Sequence, residues 1–152
     1  ATAIARDLLR AINGVGVFGI ELFQTADDRL WVNEIAPRVH NSGHFTLDAC
    51  LTSQFEQHLR AVAGLPLGDP AMTVAAAAMV NLLGFETATH DYQEKRAAIA
   101  DLPGAIVHWY GKSESRPGRK LGHVTVLADQ SSDLEPAIEA IEALWYGNEA
   151  RQ

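Results

Sequence analysis

The sequence predicts an α+β protein, because two kinds of hydrophobic periodicity alternate along its 152 residues. A helical repeat opens the chain, runs of alternating apolar and polar residues follow it, and another helical repeat lies near the end. Hydrophobic residues make up 47% of the composition and charged residues 20%, as in ordinary folded proteins. A disordered or collagen-like chain is therefore excluded.

Charge and cysteine content exclude further classes of protein. The formal net charge of -7 argues against a general nucleic-acid-binding protein, which needs a basic surface to neutralise phosphates. Cys50 is the single cysteine, so an internal disulfide and a cysteine-rich zinc site are excluded, and we expect a reducing, cytoplasmic setting. No apolar stretch is long enough to span a bilayer, and no membrane partner is expected.

The first half of the chain is expected to form a helix, a two-stranded hairpin, a loop and a second helical region. In chain order these are residues 1–13, 16–24 with 29–36, 37–43, and 44–63. Gly14 is placed to end the first helix, and Ala26-Asp27-Asp28 is a turn-forming cluster between the strands. A break in the second helical region is expected near Thr52-Ser53.

Glycines and prolines between residues 65 and 71 predict a linker between two domains, residues 1–64 and 72–152. The second domain is expected to hold strands at 73–83, 106–110 and 121–128, and helices at 93–100 and from Ser132 onward. Glu135 lies three residues after Ser132, which predicts a capping box. The apolar residues that this last helix is expected to bury are Leu134, Ile138, Ile141, Leu144 and Trp145.

Two carboxylates are predicted to face each other in the hairpin. If Asp27-Asp28 form a two-residue loop, Glu21 lies directly opposite Glu34, with Cβ atoms about 4.5–5.5 Å apart. Two charges about 5 Å apart repel by roughly 3 kcal/mol at an effective dielectric constant of about 20. Either the pair lies on an edge screened by water, or the register is shifted, or a hard cation such as Mg²⁺ bridges both groups.

Two loops concentrate groups that bind anions. The first follows the second strand and holds Arg38, His40, Asn41, Ser42 and His44. An arginine offers a planar fork to a carboxylate or phosphate, although a plain surface loop is the alternative. Zinc binding by its two histidines is not favoured, because no third ligand is evident.

The second loop, residues 112–120, holds four of the twelve basic residues of the chain around the turn Pro117-Gly118. It is interpreted as an anion clamp or, alternatively, as a solvated hairpin tip. Nucleic acid is not favoured as its ligand, because no aromatic residues are interleaved with the basic ones. His108 and His123 lie on the flanking strands, where histidines are more often structural than catalytic.

Two stretches of the chain form a recognisable motif: Gly16 to Phe23, and then Asn33-Glu34-Ile35-Ala36-Pro37-Arg38-Val39-His40-Asn41-Ser42-Gly43-His44. Together they resemble the 5-(carboxyamino)imidazole ribonucleotide synthases, which are ATP-grasp enzymes. The resemblance continues, in order, through residues 53–61, 79–84, 108–110 and 116–123. The string that begins at Asn33 is highly specific, whereas a pair of glutamates on a hairpin is shared by all ATP-grasp enzymes.

The resemblance implies a ligase of purine biosynthesis. In that reaction ATP phosphorylates bicarbonate to carboxyphosphate, which then carboxylates the exocyclic amine of 5-aminoimidazole ribonucleotide. The implied roles are Mg²⁺ binding by Glu21 and Glu34, ATP binding by Asn33 and Glu34, catalysis by Arg38, His40 and Asn41, and binding of the ribonucleotide phosphate by Lys112 and Arg119. The full-length enzyme is expected to be a homodimer.

The resemblance also implies how the chain is organised. Residues 1–64 are expected to form the C-terminal half of an ATP-grasp domain, and residues 72–152 a small sheet-and-helix domain that carries the basic hairpin. Because the family's enzymes are longer, the chain is expected to be part of one and inactive alone. Two alternatives remain open: another purine-pathway ATP-grasp ligase, such as the formate-dependent glycinamide ribonucleotide transformylase, or a noncatalytic module for sugar-phosphate binding or dimerisation.

Overall fold

The structure is a computed structural model that describes residues 1–147. The chain divides into two compact units, Ala1–Ala71 and Met72–Gln152. The stretch 65–71, expected to be a separate linker, belongs to the first unit. Its backbone is bonded there, since the Leu51 N–H donates to the carbonyl of Ala71 at 2.9 Å. The side-chain amide of Gln57 likewise bonds both main-chain groups of Gly68.

The first unit holds three helices and one hairpin. Their bounds are α1 Thr2–Ala11, β1 Gly19–Gln24, β2 Leu30–Ala36, α2 Thr46–Ala49 and α3 Gln54–Val62. A short 3₁₀ turn at Asn41–Gly43 precedes α2. The expected break in the second helical region is confirmed, because the Ser53 hydroxyl caps α3 by accepting from the Glu56 N–H at 3.2 Å.

The loop of the hairpin has three residues, Ala26, Asp27 and Asp28, so the expected two-residue loop is wrong. Gln24 pairs with Leu30, and Asp28 adopts the left-handed conformation with φ of 60°. An aspartate tolerates this conformation better than most residues, which makes the longer loop accessible. The Thr25 hydroxyl donates to the Asp27 carboxylate, and this bond is the largest of the effects that lower the pKa of Asp27.

The second unit is a three-stranded antiparallel sheet with two helices packed on one face. Its elements are β3 Ala76–Leu83, α4 Gln93–Ala100, β4 Ala105–Trp109, β5 Lys120–Ala128 and α5 Leu134–Tyr146. The strand order is β3-β5-β4. Its core contains Val80, Leu82, Val124 and Val126 from the sheet together with Ile99, Ile141 and Trp145 from the helices.

The final helix begins later than expected, and the predicted capping box is wrong. A 3₁₀ turn covers Ser131–Asp133, and the Ser132 hydroxyl bonds the neighbouring Asp133 carboxylate rather than the helix backbone. Asp133 precedes α5 with helical dihedrals, whereas a capping residue is extended. The apolar face was predicted correctly: Ile141 and Trp145 are fully buried, and Leu134, Ile138 and Leu144 pack against them.

Burial differs sharply between the two units. Among the described residues, the buried apolar side chains of the first unit are Ala36 and Ala49, while the second unit buries large ones. Phe23 and Trp31 form a cross-strand pair in the hairpin, yet they are 60% and 55% exposed. The second unit therefore has its own hydrophobic core, and the first exposes apolar surface on its hairpin and helices.

None of the helices in the described part of the chain has the length and apolar character that crossing a membrane requires.

Candidate functional site

A β-bulge sets the pairing of the two glutamates. Glu21 pairs with Glu34, but the next pair is Leu22 with Val32, so Asn33 is an extra residue without an opposite partner. Directly opposed residues of an antiparallel ladder share a face, which puts both exposed carboxylates on the same side of the hairpin. The expected pairing is confirmed because the bulge cancels the one-residue shift that the longer loop introduces.

An amide lies beside this pair. The side-chain Nδ2 of Asn33 donates to Oε2 of Glu21 at 3.2 Å. Asn33, the extra residue of the bulge, is therefore a hydrogen-bonded neighbour of Glu21.

The imidazole ring of His40 also lies beside Glu21. Its ring lies against the backbone of Gly19, where an added Cβ would approach the ring to 2.7 Å. Its Nε2 is 3.6 Å from Oε1 of Glu21. Its Nδ1 accepts from the Ser42 backbone N–H at 3.4 Å and lies 2.8 Å from the Ser42 hydroxyl oxygen. Because a backbone N–H can only donate, the neutral ring carries its proton on Nε2, the atom that faces Glu21.

Arg38 and Asn41 flank His40 on the same loop. The Arg38 guanidinium is exposed and donates to the carbonyl of Val39 at 3.1 Å, so it lies along the loop surface. Asn41 begins the 3₁₀ turn, and its carbonyl accepts from the His44 N–H at 3.1 Å. The structure therefore joins Glu21 to Asn33 and to His40 by direct contacts, and Arg38 and Asn41 flank His40 in the chain.

The donor set near the hairpin fits a magnesium ion that is shared with phosphates. Within residues 1–147, no cluster of three or more His, Cys, Asp or Glu side chains is arranged to hold a metal. Mg²⁺ is commonly bound through one or two carboxylates, with water and substrate phosphates as its other ligands. The opposed pair of Glu21 and Glu34 supplies two such carboxylates.

The basic loop of the second unit is fastened to the segment that follows β3. Gly84 donates to the Arg119 carbonyl at 2.8 Å, and its own carbonyl accepts from Gly118 at 2.9 Å. Ser115 exchanges two backbone bonds with Ala88, and its hydroxyl donates to the carbonyl of Glu86 at 2.9 Å. These bonds hold both halves of the loop before any ligand binds.

The two cations predicted to bind phosphate lie toward opposite ends of this loop. Lys112 is exposed, and Arg119 is half-buried and donates from Nη1 to the carbonyl of Glu114 at 3.1 Å. The predicted turn is confirmed, since Arg119 N–H bonds the Arg116 carbonyl at 3.0 Å and Gly118 has φ of 79°. A positive φ at this turn position favours glycine.

The two histidines beside the loop have structural surroundings. His108 and His123 are paired across β4 and β5, and their rings stack with centroids 4.5 Å apart. The Tyr110 hydroxyl oxygen is 2.8 Å from Nδ1 of His123, which is only 2% exposed. Burial raises the pKa of Tyr110, so this hydroxyl keeps its proton at neutral pH. The arrangement agrees with the structural interpretation.

Comparison with known proteins covers both units. Residues 1–55 match the family model of the ATP-grasp domain, and residues 77–137 match the phosphoribosylaminoimidazole carboxylase C-terminal domain. The N5-carboxyaminoimidazole ribonucleotide synthase of Synechococcus elongatus is 58% identical in an alignment of 149 residues that covers 94% of this chain and 38% of that protein. Along nearly its whole length, the chain is therefore similar to part of this synthase.

Solved structures of synthases agree in fold. The enzyme from Aspergillus clavatus, in complex with ADP and 5-aminoimidazole ribonucleotide, has a TM-score of 0.86 at 35% identity, over 95% of this chain and 39% of that chain. The phosphoribosylaminoimidazole carboxylase ATPase subunit from Aquifex aeolicus has a TM-score of 0.84 at 40% identity, over 95% and 43%. The chain thus spans about two fifths of the length of these synthases. The predicted α+β fold, an ATP-grasp portion followed by a small C-terminal domain, is confirmed.

Several residues that shape this candidate site were not singled out from the sequence. Gln54 contacts the His40 loop through its side chain, and Gly84 and Ser115 hold the basic loop. No local pattern marks them, because their partners lie far along the chain. The signal available was the length of the resemblance, whose matching stretches include Gln54 and Gly84 and begin again at Arg116, directly after Ser115.

Proposed function

We propose that the protein to which this chain belongs carboxylates 5-aminoimidazole ribonucleotide with bicarbonate, driven by ATP and proceeding through carboxyphosphate, in purine biosynthesis. The observation that carries the proposal is the Glu21–Glu34 pair with His40 beside it, in a chain 58% identical to a named synthase. The loop of residues 38–44 and the basic loop of residues 112–120 supply donors that suit two anions, the bicarbonate and the ribonucleotide phosphate.

Glu21 and Glu34 hold Mg²⁺ in this proposal, and Asn33 and Glu34 contact ATP. The bound ion offsets the charge of the phosphates during phosphoryl transfer. The ion also relieves the repulsion between two opposed carboxylates, which otherwise disfavours the hairpin. Asn33 keeps the Glu21 carboxylate oriented through its 3.2 Å hydrogen bond.

Arg38, His40 and Asn41 bind the bicarbonate and the carboxyphosphate formed from it. Arg38 offers two parallel N–H donors to an anionic oxygen pair. His40 holds a proton on Nε2 next to the Glu21 carboxylate, so it can donate a hydrogen bond to a nearby anion without carrying a formal charge. Fixed donors of this kind stabilise a labile dianion because they do not need to reorganise.

Lys112 and Arg119 bind the phosphate of the ribonucleotide. Four cations in residues 112–120 of an acidic chain repel one another, so this loop is most favourable with an anion present. Lys112 supplies a mobile point charge and Arg119 a planar fork, while Pro117-Gly118 sets the turn between them. From the resemblance we also propose a cytoplasmic homodimer.

Isotope transfer tests the proposed reaction directly. With ¹⁸O-labelled bicarbonate, attack on the γ-phosphorus of ATP moves one labelled oxygen into the phosphate that leaves when the amine is carboxylated. We expect labelled phosphate and the carboxylated ribonucleotide in equal amounts, both dependent on 5-aminoimidazole ribonucleotide. Turnover that requires formate instead of bicarbonate would favour the transformylase alternative, and binding of the ribonucleotide without ATP turnover would favour a noncatalytic module.

A further inference from the structure

The side chain of Gln54 is buried and hydrogen-bonded at both ends of its amide. It is 8% exposed and begins α3. Its Oε1 accepts from the His40 backbone N–H at 2.9 Å, and its Nε2 donates to the His40 carbonyl at 2.8 Å. The same Nε2 lies 2.8 Å from Nδ1 of His44. One amide therefore contacts both main-chain groups of His40 and the ring of His44.

These contacts permit one orientation of the amide. If its oxygen and nitrogen were exchanged, the NH₂ group would face the His40 N–H, and the oxygen would face the His40 carbonyl. With the orientation set, Nε2 has two hydrogens, and the second one points to Nδ1 of His44. A nitrogen that accepts this hydrogen cannot itself be protonated. The hydrogen bonds thus determine which nitrogen of His44 lacks a proton.

Neighbouring residues hold the amide in place. A Cβ added at Gly43 would lie 2.5 Å from Oε1 of Gln54, so a larger residue there requires the amide to shift. The Thr46 hydroxyl accepts from the Gln54 backbone N–H at 2.9 Å and donates to the Gly43 carbonyl at 2.6 Å. The start of α3 and the His40 loop are therefore joined by a continuous set of hydrogen bonds.

We propose that Gln54 is a positioning residue for the loop of residues 38–44. It sets the backbone of His40, whose ring faces Glu21, and it keeps Nδ1 of His44 unprotonated. The role in turnover rests on the proposed function, whereas the effect on His44 does not. The test separates the two by measuring the ring nitrogens and the reaction independently.

Gln57 provides a matched control on the same helix. Its amide also holds one residue by both main-chain groups, donating to the Gly68 carbonyl at 2.6 Å and accepting from the Gly68 N–H at 3.0 Å. No histidine takes part in those two bonds. Gln57→Glu therefore makes the same chemical change, and breaks the same kind of main-chain contact, away from His40 and His44.

The first measurement needs no variant in the helix. Long-range ¹H–¹⁵N correlation spectra report which imidazole nitrogen is protonated, and His44→Gln identifies the His44 signals by their loss. At neutral pH we expect the His44 Nδ1 signal of an unprotonated nitrogen. A protonated Nδ1 in the wild-type protein overturns the proposal, whatever the variants do.

The second measurement uses Gln54→Glu. Its carboxylate can still accept from the His40 N–H, but it loses both donated bonds and prefers a donor at His44. We expect His44 Nδ1 to gain a proton and kcat for carboxylation to fall about tenfold or more, while Gln57→Glu matches wild type in both. An unchanged His44 spectrum in Gln54→Glu, or the same change in Gln57→Glu, contradicts the positioning role.

Gly43→Ala is the second route if Gln54→Glu does not fold. It keeps the amide but forces it away from His40, and we expect the same loss of kcat with a mixed His44 signal. Wild-type turnover in Gly43→Ala overturns the role in catalysis. If Gln54→Glu moves the His44 proton and leaves the carboxylation rate unchanged, the proposed function of the loop is wrong and the positioning of His44 stands.

Discussion

Glu21 faces Glu34 across the β1–β2 ladder because a bulge at Asn33 cancels the register shift that the hairpin loop introduces. Without the bulge, Glu21 would pair with Asn33, and the two carboxylates would lie on opposite faces of the hairpin. The Asn33 amide still donates to Glu21 at 3.2 Å. One inserted residue therefore creates the carboxylate pair, and the amide remains beside it.

Replacing one carboxylate should separate metal binding from hairpin stability. In Glu34→Gln we expect the melting temperature of the magnesium-free protein to stay equal or rise slightly, because a like-charge repulsion is removed. The increase in melting temperature that MgCl₂ and ADP cause in the wild-type protein should fall by at least half in Glu34→Gln. Thermal unfolding with and without the ion measures both effects.

Glu94→Gln serves as the control for that variant, since Glu94 lies in the first turn of α4. It should keep the full magnesium effect. An undiminished magnesium shift in Glu34→Gln would show that the ion does not bind at this pair.

Arg119 should matter for the ribonucleotide and not for ATP. In the enzyme that contains this chain, Arg119→Ala should raise KM for 5-aminoimidazole ribonucleotide by about tenfold or more, which is about 1.4 kcal/mol. The reason is loss of a two-pronged phosphate contact. Steady-state kinetics with each substrate varied in turn measures this. A rise in KM for ATP alone would assign the loop to the nucleotide.

Gly84 should control the shape of the basic loop without touching the ligand. A Cβ at this position would lie 2.4 Å from the Arg116 carbonyl oxygen, a backbone atom that cannot move aside cheaply. Gly84→Ala should therefore displace the loop and raise KM for the ribonucleotide severalfold. Ser115→Ala, which removes the hydroxyl bond to the Glu86 carbonyl but leaves the backbone bonds of Ser115, should have a smaller effect. If both variants keep the wild-type KM for the ribonucleotide, the basic loop does not need the contacts of Gly84 and Ser115.

Trp145 should dominate the stability of the second unit. It is fully buried, and its Nε1 donates to the Leu83 carbonyl at 2.8 Å. Trp145→Ala should cost about 3–5 kcal/mol of unfolding free energy. Trp145→Phe keeps most of the packing but leaves the Leu83 carbonyl unpaired, which should lower the unfolding free energy by about 1–3 kcal/mol. Urea unfolding measures the free-energy change of both variants. Glu142→Gln, at an exposed position, is the control and should change the unfolding free energy by almost nothing.

The 152 residues alone should not turn over ATP. The chain spans 38% of the Synechococcus synthase, and the ADP complex of the Aspergillus enzyme is formed by a chain of which it covers 39%. Phosphate release should stay at background with magnesium, bicarbonate and the ribonucleotide present. Turnover that depends on all three from this chain would contradict the expectation.

The local elements could be read from the sequence because their determinants are local. The helix at Gln93–Ala100 was predicted at its observed bounds, and the strand expected at 121–128 differs from the observed one by a single residue. Helical spacing also identified the buried face of α5. The carboxylate pair was found for a partly wrong reason, since the loop is longer than assumed and the bulge restores the register.

The sequence by itself therefore determined the fold class, the helices and strands, and the family motif that begins at Asn33, because periodicity and motifs are properties of neighbouring residues. The tertiary structure decided the contacts that shape the site. Gln54 meets His40 from 14 residues away, Ser115 meets Glu86 from 29, and Trp145 meets Leu83 from 62. Such hydrogen bonds depend on how the folded chain brings residues that are distant in sequence together, and no local spacing in the sequence specifies those contacts.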